Sequence, residues 1–279
     1  MGGGEEVSPG AVAALPKPVE PAAILAPEAA IHVVGVSKSF GHSGEIRALD
    51  NVSFDVGRGE FVAVLGPSGC GKSTLLRMVA GLIMPDPGGR IEVLGQVQAA
   101  PASDVGVVFQ THNLLPWSTV ESNIRLAAEV QGVPAAEIDK RIAEMLPVLR
   151  LESFRRMYPH QLSGGMCQRA ALGQALVRRP QVLLLDEPFG ALDALTRDQL
   201  NVELLRLWQE IRKTVILITH SIAEAVFLAD RVVVMSDRPG RIIEDVRIDL
   251  PRPRDPRTTK GRPDFGGYVL NLGYLMGIV

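Results

Sequence analysis

Residues 61–79 constrain the fold more than any other stretch of this chain. Phe61 to Leu65 are apolar or small and read as a short buried strand. Gly66-Pro67-Ser68-Gly69-Cys70-Gly71-Lys72-Ser73-Thr74 follows, and Leu75, Leu76, Met78 and Val79 then take up helical spacing. A strand, a glycine loop, a lysine beside a hydroxyl and then a helix is the context of a phosphate-binding loop. Gly66, Gly69 and Gly71 let the backbone curl until successive N–H groups face one anion. The helix behind them adds its positive end. Lys72 supplies a flexible point charge for outer phosphates, and Ser73 a hard oxygen for Mg²⁺. Every position the motif requires is filled, which separates it from an ordinary glycine turn.

The rest of the chain limits the setting of that loop. With 279 residues it is long enough for one large domain or two small ones. Hydrophobic residues at 46% and charged residues at 22% fit a globular protein with a sizeable core. A net charge of −2 offers no basic field for nucleic acid, and aromatics at 5% offer little for base stacking. No apolar run approaches the length of a bilayer span. The acidic, proline-broken start does not read as a secretory signal. Two cysteines, Cys70 and Cys167, both inside motifs, argue for a reducing cytosol and against a disulfide framework.

Residues 1–30 are rich in Ala, Pro and Gly and read as a disordered tail. Segments 32–36 and 52–56 read as strands around a polar turn at 41–45, with Phe40 just before it. Residues 90–110 bring further short strands, and Gln110 stands where the last meets a loop. Residues 111 to about 166 read as a helical insertion, with Ile138, Ile142, Met145 and Leu149 on one face. Ser163 N-caps another helix, and Gly164 and Gly165 behind it suit close backbone approach. Val182 to Leu185 form a buried strand ending in Asp186 and Glu187. An aspartate there suits Mg²⁺, and a second carboxylate suits polarising water. Val215 to Thr219 form another strand, with His220 at its end. Residues 251–279 are Pro- and Arg-rich, and the default expectation for them is a solvated tail.

In this order the motifs resemble those of the ATP-binding-cassette (ABC) ATPases. GPSGCGKST, Gln110, the LSGGM signature at 162–166, LLLDEP at 183–188, ALD at 191–193 and His220 carry the resemblance over roughly residues 31–250. The runs LLPW, YPHQLSGGM, DEPFGALDALTR, RPGRI and DLPRPR are similar to the nitrate, sulfonate and taurine importer branch. The resemblance implies an α/β fold: a P-loop core with a mostly parallel sheet, an N-terminal antiparallel β subdomain and the inserted helical subdomain. It implies binding of ATP and Mg²⁺ by Gly66 to Thr74, with Pro67, Ser68 and Cys70 in the loop and Lys72 on the outer phosphates. Phe40 matches the aromatic stacked on adenine, and Ser73, Gln110 and Asp186 the metal contacts. Glu187 matches the general base and His220 the switch histidine. Ser163, Gly164 and Gly165 match the signature that reaches the γ-phosphate of the other subunit, and Asp193 the residue communicating across the dimer.

The implied protein is an ATPase subunit working as a head-to-tail homodimer on the cytoplasmic face of the cell membrane. It would drive a separate permease, be served indirectly by a periplasmic solute-binding protein, and have no nucleic-acid partner. The alternatives are a non-transport ABC ATPase, which would normally carry a second cassette, a coiled coil or basic arms, and a regulatory module that binds ATP without turnover. Two departures stand out: Cys167 where the family usually has glutamine, and Gly173-Gln174 where it has alanine-arginine. Cys70, beside anion-binding N–H groups, reads either as a reactive thiol of lowered pKa or as a small loop filler. In the closed dimer Cys70 and Cys167 could then approach one another across the interface.

Overall fold

The structure, a computed structural model, describes residues 29–41, 44–190 and 192–278. The expectation for the first 28 residues lies outside them, as do His42 and Ser43 of the expected turn.

Two sheets organise the chain. The first is antiparallel, with strand order β2-β1-β4-β5, built from β1 (Ala29–Phe40), β2 (Ile46–Gly57), β4 (Arg90–Val93) and β5 (Gln96–Val97). β1 and β2 are longer than the alternation alone suggested, and their pairing shifts register several times, with Gly35 at φ 58°. The second sheet has the order β10-β9-β3-β8-β7-β6. Its strands are β3 (Phe61–Leu65), β6 (Val105–Val108), β7 (Val182–Asp186), β8 (Thr214–Thr219), β9 (Arg231–Met235) and β10 (Ile242–Arg247). β3 and β6 to β9 run parallel, and β10 is an antiparallel edge. β3, β7 and β8 are buried along their whole length, as unbroken apolar runs in a covered parallel sheet should be. Their carboxyl ends share one side, where open α/β sheets place ligands.

The helices cover that sheet. α1 (Lys72–Val79) follows β3 directly. α2 (Val120–Glu129) and α3 (Ala135–Val148) make up the expected insertion and pack with α4 (Gly164–Leu176). The buried face of α3 is Ile138, Ile142 and Leu146, continued by Leu149, while Met145 is only partly covered. These side chains join Leu183, Leu185 and Leu217 of the sheet in one apolar cluster. α5 (Ala194–Ile211) follows β7, and α6 (Ile222–Leu228) follows β8. Arg231 ties the two sheets together. It reaches Glu60 at 3.0 Å, Asp245 at 2.6 Å and the Asp55 carbonyl at 3.2 Å, and these carboxylates raise its pKa further.

The solvated-tail expectation for residues 251–279 is corrected. The segment forms α7 (Pro256–Thr259) and α8 (Pro263–Leu275), and α8 packs on α6 through Phe265 and Leu272. Two of its arginines, Arg252 and Arg254, turn inward, while Arg257 and Arg262 stay exposed. The Arg252 guanidinium lies 4.3 Å from the Trp208 ring centre and bonds Asp230. Arg254, 4% exposed, donates to the carbonyls of Val226, Phe227 and Ala229 at the end of α6, and to those of Ile248 and Leu250. It thus caps a helix C-terminus whose last carbonyls have no partner within the helix.

Candidate active site

The loop between β3 and α1 has the curl its glycines predict. Gly69 and Gly71 have φ of 79° and 104°. At Gly71 a side chain has no room either, because a Cβ would stand 2.8 Å from the Ala48 carbonyl. Lys72 is buried, and its ammonium donates to the carbonyls of Gly66 at 2.8 Å and Pro67 at 2.7 Å. Its charge therefore sits in the mouth of the loop. Ser68 and Gly69 are exposed, Pro67 and Thr74 half-buried.

Ser73 is the second residue of α1, and its hydroxyl donates to Asp186 Oδ1 at 2.8 Å. Asp186 ends β7 and is buried, which pushes its carboxyl above the usual aspartate range against the pull of the Ser73 bond. Glu187 follows with φ 44°, an uncommon backbone for a non-glycine residue, and its N–H donates to Ile218 O of β8 at 3.0 Å. Its Oε2 lies 3.2 Å from His220 Nδ1. The structure thus brings Ser73 and Asp186 into one contact and Glu187 and His220 into another, at neighbouring strand ends, while Lys72 beside Ser73 turns its ammonium to the loop carbonyls.

Other predicted residues stand apart from this centre. Phe40 ends β1 with its ring exposed and the Lys38 ammonium 5.7 Å from the ring centre. Gln110 is exposed just past β6. Ser163 N-caps α4 by accepting from Met166 N–H at 3.3 Å. Asp193 N-caps α5 by accepting from Thr196 N–H at 3.0 Å, and that bond holds its carboxyl below the usual range. These two caps are neighbours: a Cβ on Gly164 would meet Leu192 at 3.2 Å, and one on Gly165 would meet Thr196 at 3.1 Å.

Both thiols depart from the reactive reading. Cys70 is 1% exposed, and burial raises its pKa, although the Lys72 ammonium opposes this. Cys167 is buried, raised by the same cause, with Sγ 3.5 Å from Pro159 O. Both are small fillers of tight places. The Gly173-Gln174 departure is accommodated by packing. A Cβ on Gly173 would stand 2.9 Å from Ile124 and Leu149, and Gln174 Nε2 donates to Asn123 O at 3.1 Å, fastening α4 to α2.

Three contacts escaped the sequence reading. Arg197 donates to Leu192 O at 3.0 Å and to Gly190 O at 3.5 Å, holding the segment between Glu187 and Asp193. Glu224 is buried near Arg197 with its pKa raised by burial, and it accepts from Thr219 just before His220. Arg238 contacts Gly69 of the loop between β3 and α1. The first two stand in the runs DALTR and HSIAE, but only their spatial partners give them meaning.

A glycine loop on a parallel sheet, with a serine–aspartate pair and a glutamate–histidine pair at the strand ends, defines a nucleotide-hydrolysing cassette. A family model described as ABC transporter matches residues 49–190, and the chain belongs to that family. An uncharacterized ABC transporter ATP-binding protein of Methanocaldococcus jannaschii is 46% identical over 243 residues, covering 87% of this chain and 90% of the relative. An aliphatic sulfonates import ATP-binding protein of Bacillus cereus is 46% identical over 220 residues, covering 78% and 86%. A taurine import ATP-binding protein of Rhizobium johnstonii is 46% identical over 224 residues, covering 79% and 85%. Among solved structures, a dimeric post-hydrolysis ATP-binding cassette bound to ADP and Pi is 32% identical, with TM-score 0.69 over 79% of this chain and 99% of that one. The chain is an ATPase of this family, and it binds the nucleotide it hydrolyses.

Proposed function

We propose that this chain is the ATPase subunit of an importer for small oxyanions of the sulfonate class, taurine and aliphatic sulfonates first and nitrate second. The observation that carries the assignment of roles is the 2.8 Å Ser73–Asp186 bond standing beside the Glu187–His220 pair. Ser73 and Asp186 offer hard oxygens of the kind Mg²⁺ takes, with Gln110 as the third candidate. Bound there, Mg²⁺ would supply charge neutralisation for the β- and γ-phosphates.

The chain's own residues do the rest. Lys72 exchanges its bonds to Gly66 O and Pro67 O for outer phosphate oxygens. Glu187 takes the proton of the attacking water, and His220, 3.2 Å away, orients that carboxylate and meets the γ-phosphate. Phe40 gives adenine a face to stack on. Ser163, Gly164 and Gly165 cap the phosphate held by a second copy, so two chains close head to tail around two ATP molecules. Asp193, beside that signature, carries the state of one site to the other. Phosphate release removes the charge between the halves, and the opening motion drives a separate permease from its cytoplasmic face. A periplasmic solute-binding protein feeds that permease and never meets this chain. The two import relatives support this transport reading over a non-transport ATPase or a regulatory module.

The test is a strain lacking this gene, grown with taurine or an aliphatic sulfonate as sole sulfur source and complemented with wild type or Lys72→Ala. Growth restored by wild type alone is expected. Growth of the deletion strain on those sources, with loss of growth on nitrate, would move the solute to the second choice.

A further inference from the structure

The segment from Ser236 to Arg241 joins β9 to β10 and carries the first four residues of the RPGRI run, which none of the steps above uses. β9 lies parallel to β3, with Val234 paired to Leu65, so the segment leaves the sheet beside the phosphate-binding loop. Two contacts join them. Arg238 Nε donates to Gly69 O at 3.1 Å. Gly240 packs so closely that an added Cβ would lie 2.1 Å from Cys70 O, which no native contact tolerates. Gly240 is itself fixed, its N–H donating to Ala48 O at 2.9 Å and its carbonyl accepting from Asp50 N–H at 3.0 Å. Arg241 and Arg47 both pair with the buried Asp50 carboxylate. The segment thus links the antiparallel sheet to the outer side of the loop.

A loop of this kind binds an anion only when its N–H groups face inward and its carbonyls outward. In a planar trans peptide the carbonyl and the next N–H point in opposite directions. Gly69 O and Cys70 O therefore set where the N–H groups of Cys70 and Gly71 point. Within the loop, Cys70 N–H makes only a 3.4 Å bond to Pro67 O. We propose that Arg238 and Gly240 are positioning residues for the nucleotide, holding the Gly69 and Cys70 carbonyls outward so that the next two N–H groups face the polyphosphate. The proposal rests on residues 66–74 being the nucleotide loop.

The test uses the full chain, a fluorescent ATP analogue displaced by MgATP or MgADP, and steady-state hydrolysis. Arg238→Ala should weaken both nucleotides alike by roughly tenfold, the scale of one hydrogen bond to a charged group. KM should rise with kcat within about twofold, as for lost binding rather than lost chemistry. Arg238→Gln, neutral but still a donor, should recover part of the loss. Gly240→Ala should lose more, with circular dichroism unchanged; if it fails to fold, the two Arg238 variants decide. Binding by Arg238→Ala within about twofold of wild type overturns the proposal. So does a variant-to-wild-type ratio that returns to one near 0.5 M salt, the mark of a screened long-range charge. Lys72→Ala is measured alongside. If it too binds like wild type, the loop assignment has failed; if Lys72→Ala alone weakens binding, the brace has.

Discussion

Replacing Arg254 with methionine separates a docked C-terminal segment from a solvated one. Methionine keeps the apolar stem and removes the donors that reach five carbonyls. Burial pushes the guanidinium down from the ordinary arginine range to about 10, which leaves it charged at neutral pH and corresponds to roughly 3 kcal/mol of penalty. Against this, each carbonyl left dry and unpaired costs about 1–1.5 kcal/mol. Relief of the penalty offsets part of that loss, and a net destabilisation of about 2–5 kcal/mol remains. For a domain of this size that lowers Tm by about 5–15 °C. A solvated arginine would change stability by less than about 0.5 kcal/mol. Melting followed by circular dichroism decides, with Arg254→Lys as an intermediate because one ammonium cannot span the same carbonyls. A Tm within about 1 °C of wild type for Arg254→Met would refute the docking argument. Because α6 begins two residues after His220, a real loss should also lower ATPase activity near the melting range.

Glu187→Gln should keep ATP binding and slow hydrolysis by roughly 10² or more, since an amide cannot accept the water's proton; a closed dimer should accumulate in ATP on size-exclusion chromatography, and continued turnover by a monomer would exclude the general-base role. Asp186, raised by burial, holds its proton more tightly folded than unfolded, so its contribution to stability falls as pH rises through that raised value. Protons also compete with Mg²⁺ there, so Mg²⁺ titrations between about pH 5 and 8 should show affinity failing on acidification earlier than for an ordinary aspartate. Cys70 is buried with a raised pKa, so alkylation at neutral pH should be slow and equal with or without MgATP, rising only on denaturation; fast labelling blocked by MgATP, read by mass spectrometry, would restore the reactive reading.

The candidate site was legible where one residue type in one local context is enough to place it. The loop over 66–74 needs only a strand before it and a helix after it, both written in the apolar pattern. Asp186, Glu187 and His220 were visible because they end unbroken apolar runs, and a parallel sheet brings such ends together. What the pattern could not carry was the partner of each long polar side chain. Arg254 and Arg252 stand in a Pro/Arg-rich run that looks solvated, yet each reaches a carbonyl more than twenty residues upstream. Gly240 looks like a turn glycine until the Cys70 carbonyl is found beside it. Cys70 stayed open between two readings for a related reason. Its neighbours in sequence are anion-binding N–H groups, but its surroundings in space are apolar, and burial outweighs the nearby ammonium.

Lys72, Ser73, Asp186, Glu187, His220 and Asp193 of the candidate site each have a partner inside the chain, and on the proposed reading this shapes how nucleotide binding works. Lys72 is held by two carbonyls, Ser73 by Asp186, Glu187 by His220, and Asp193 by the start of its own helix. Binding is therefore an exchange of internal partners for ligand atoms, so affinity follows a difference between bonds rather than their gross strength. For Lys72 the exchange is favourable only if the carbonyls it leaves keep clear of the incoming phosphates. Those of Gly66 and Pro67 must then turn to other donors or to water, while Gly69 already has Arg238. The signature residues Ser163 to Gly165 take a different side, against Leu192 and Thr196 rather than residues 66–74. Among the described residues no hydrogen bond joins 163–165 to that loop. On the proposed reading, one chain offers its anion donors in two places, and a second copy bringing its signature to the first copy's loop would complete what neither completes alone.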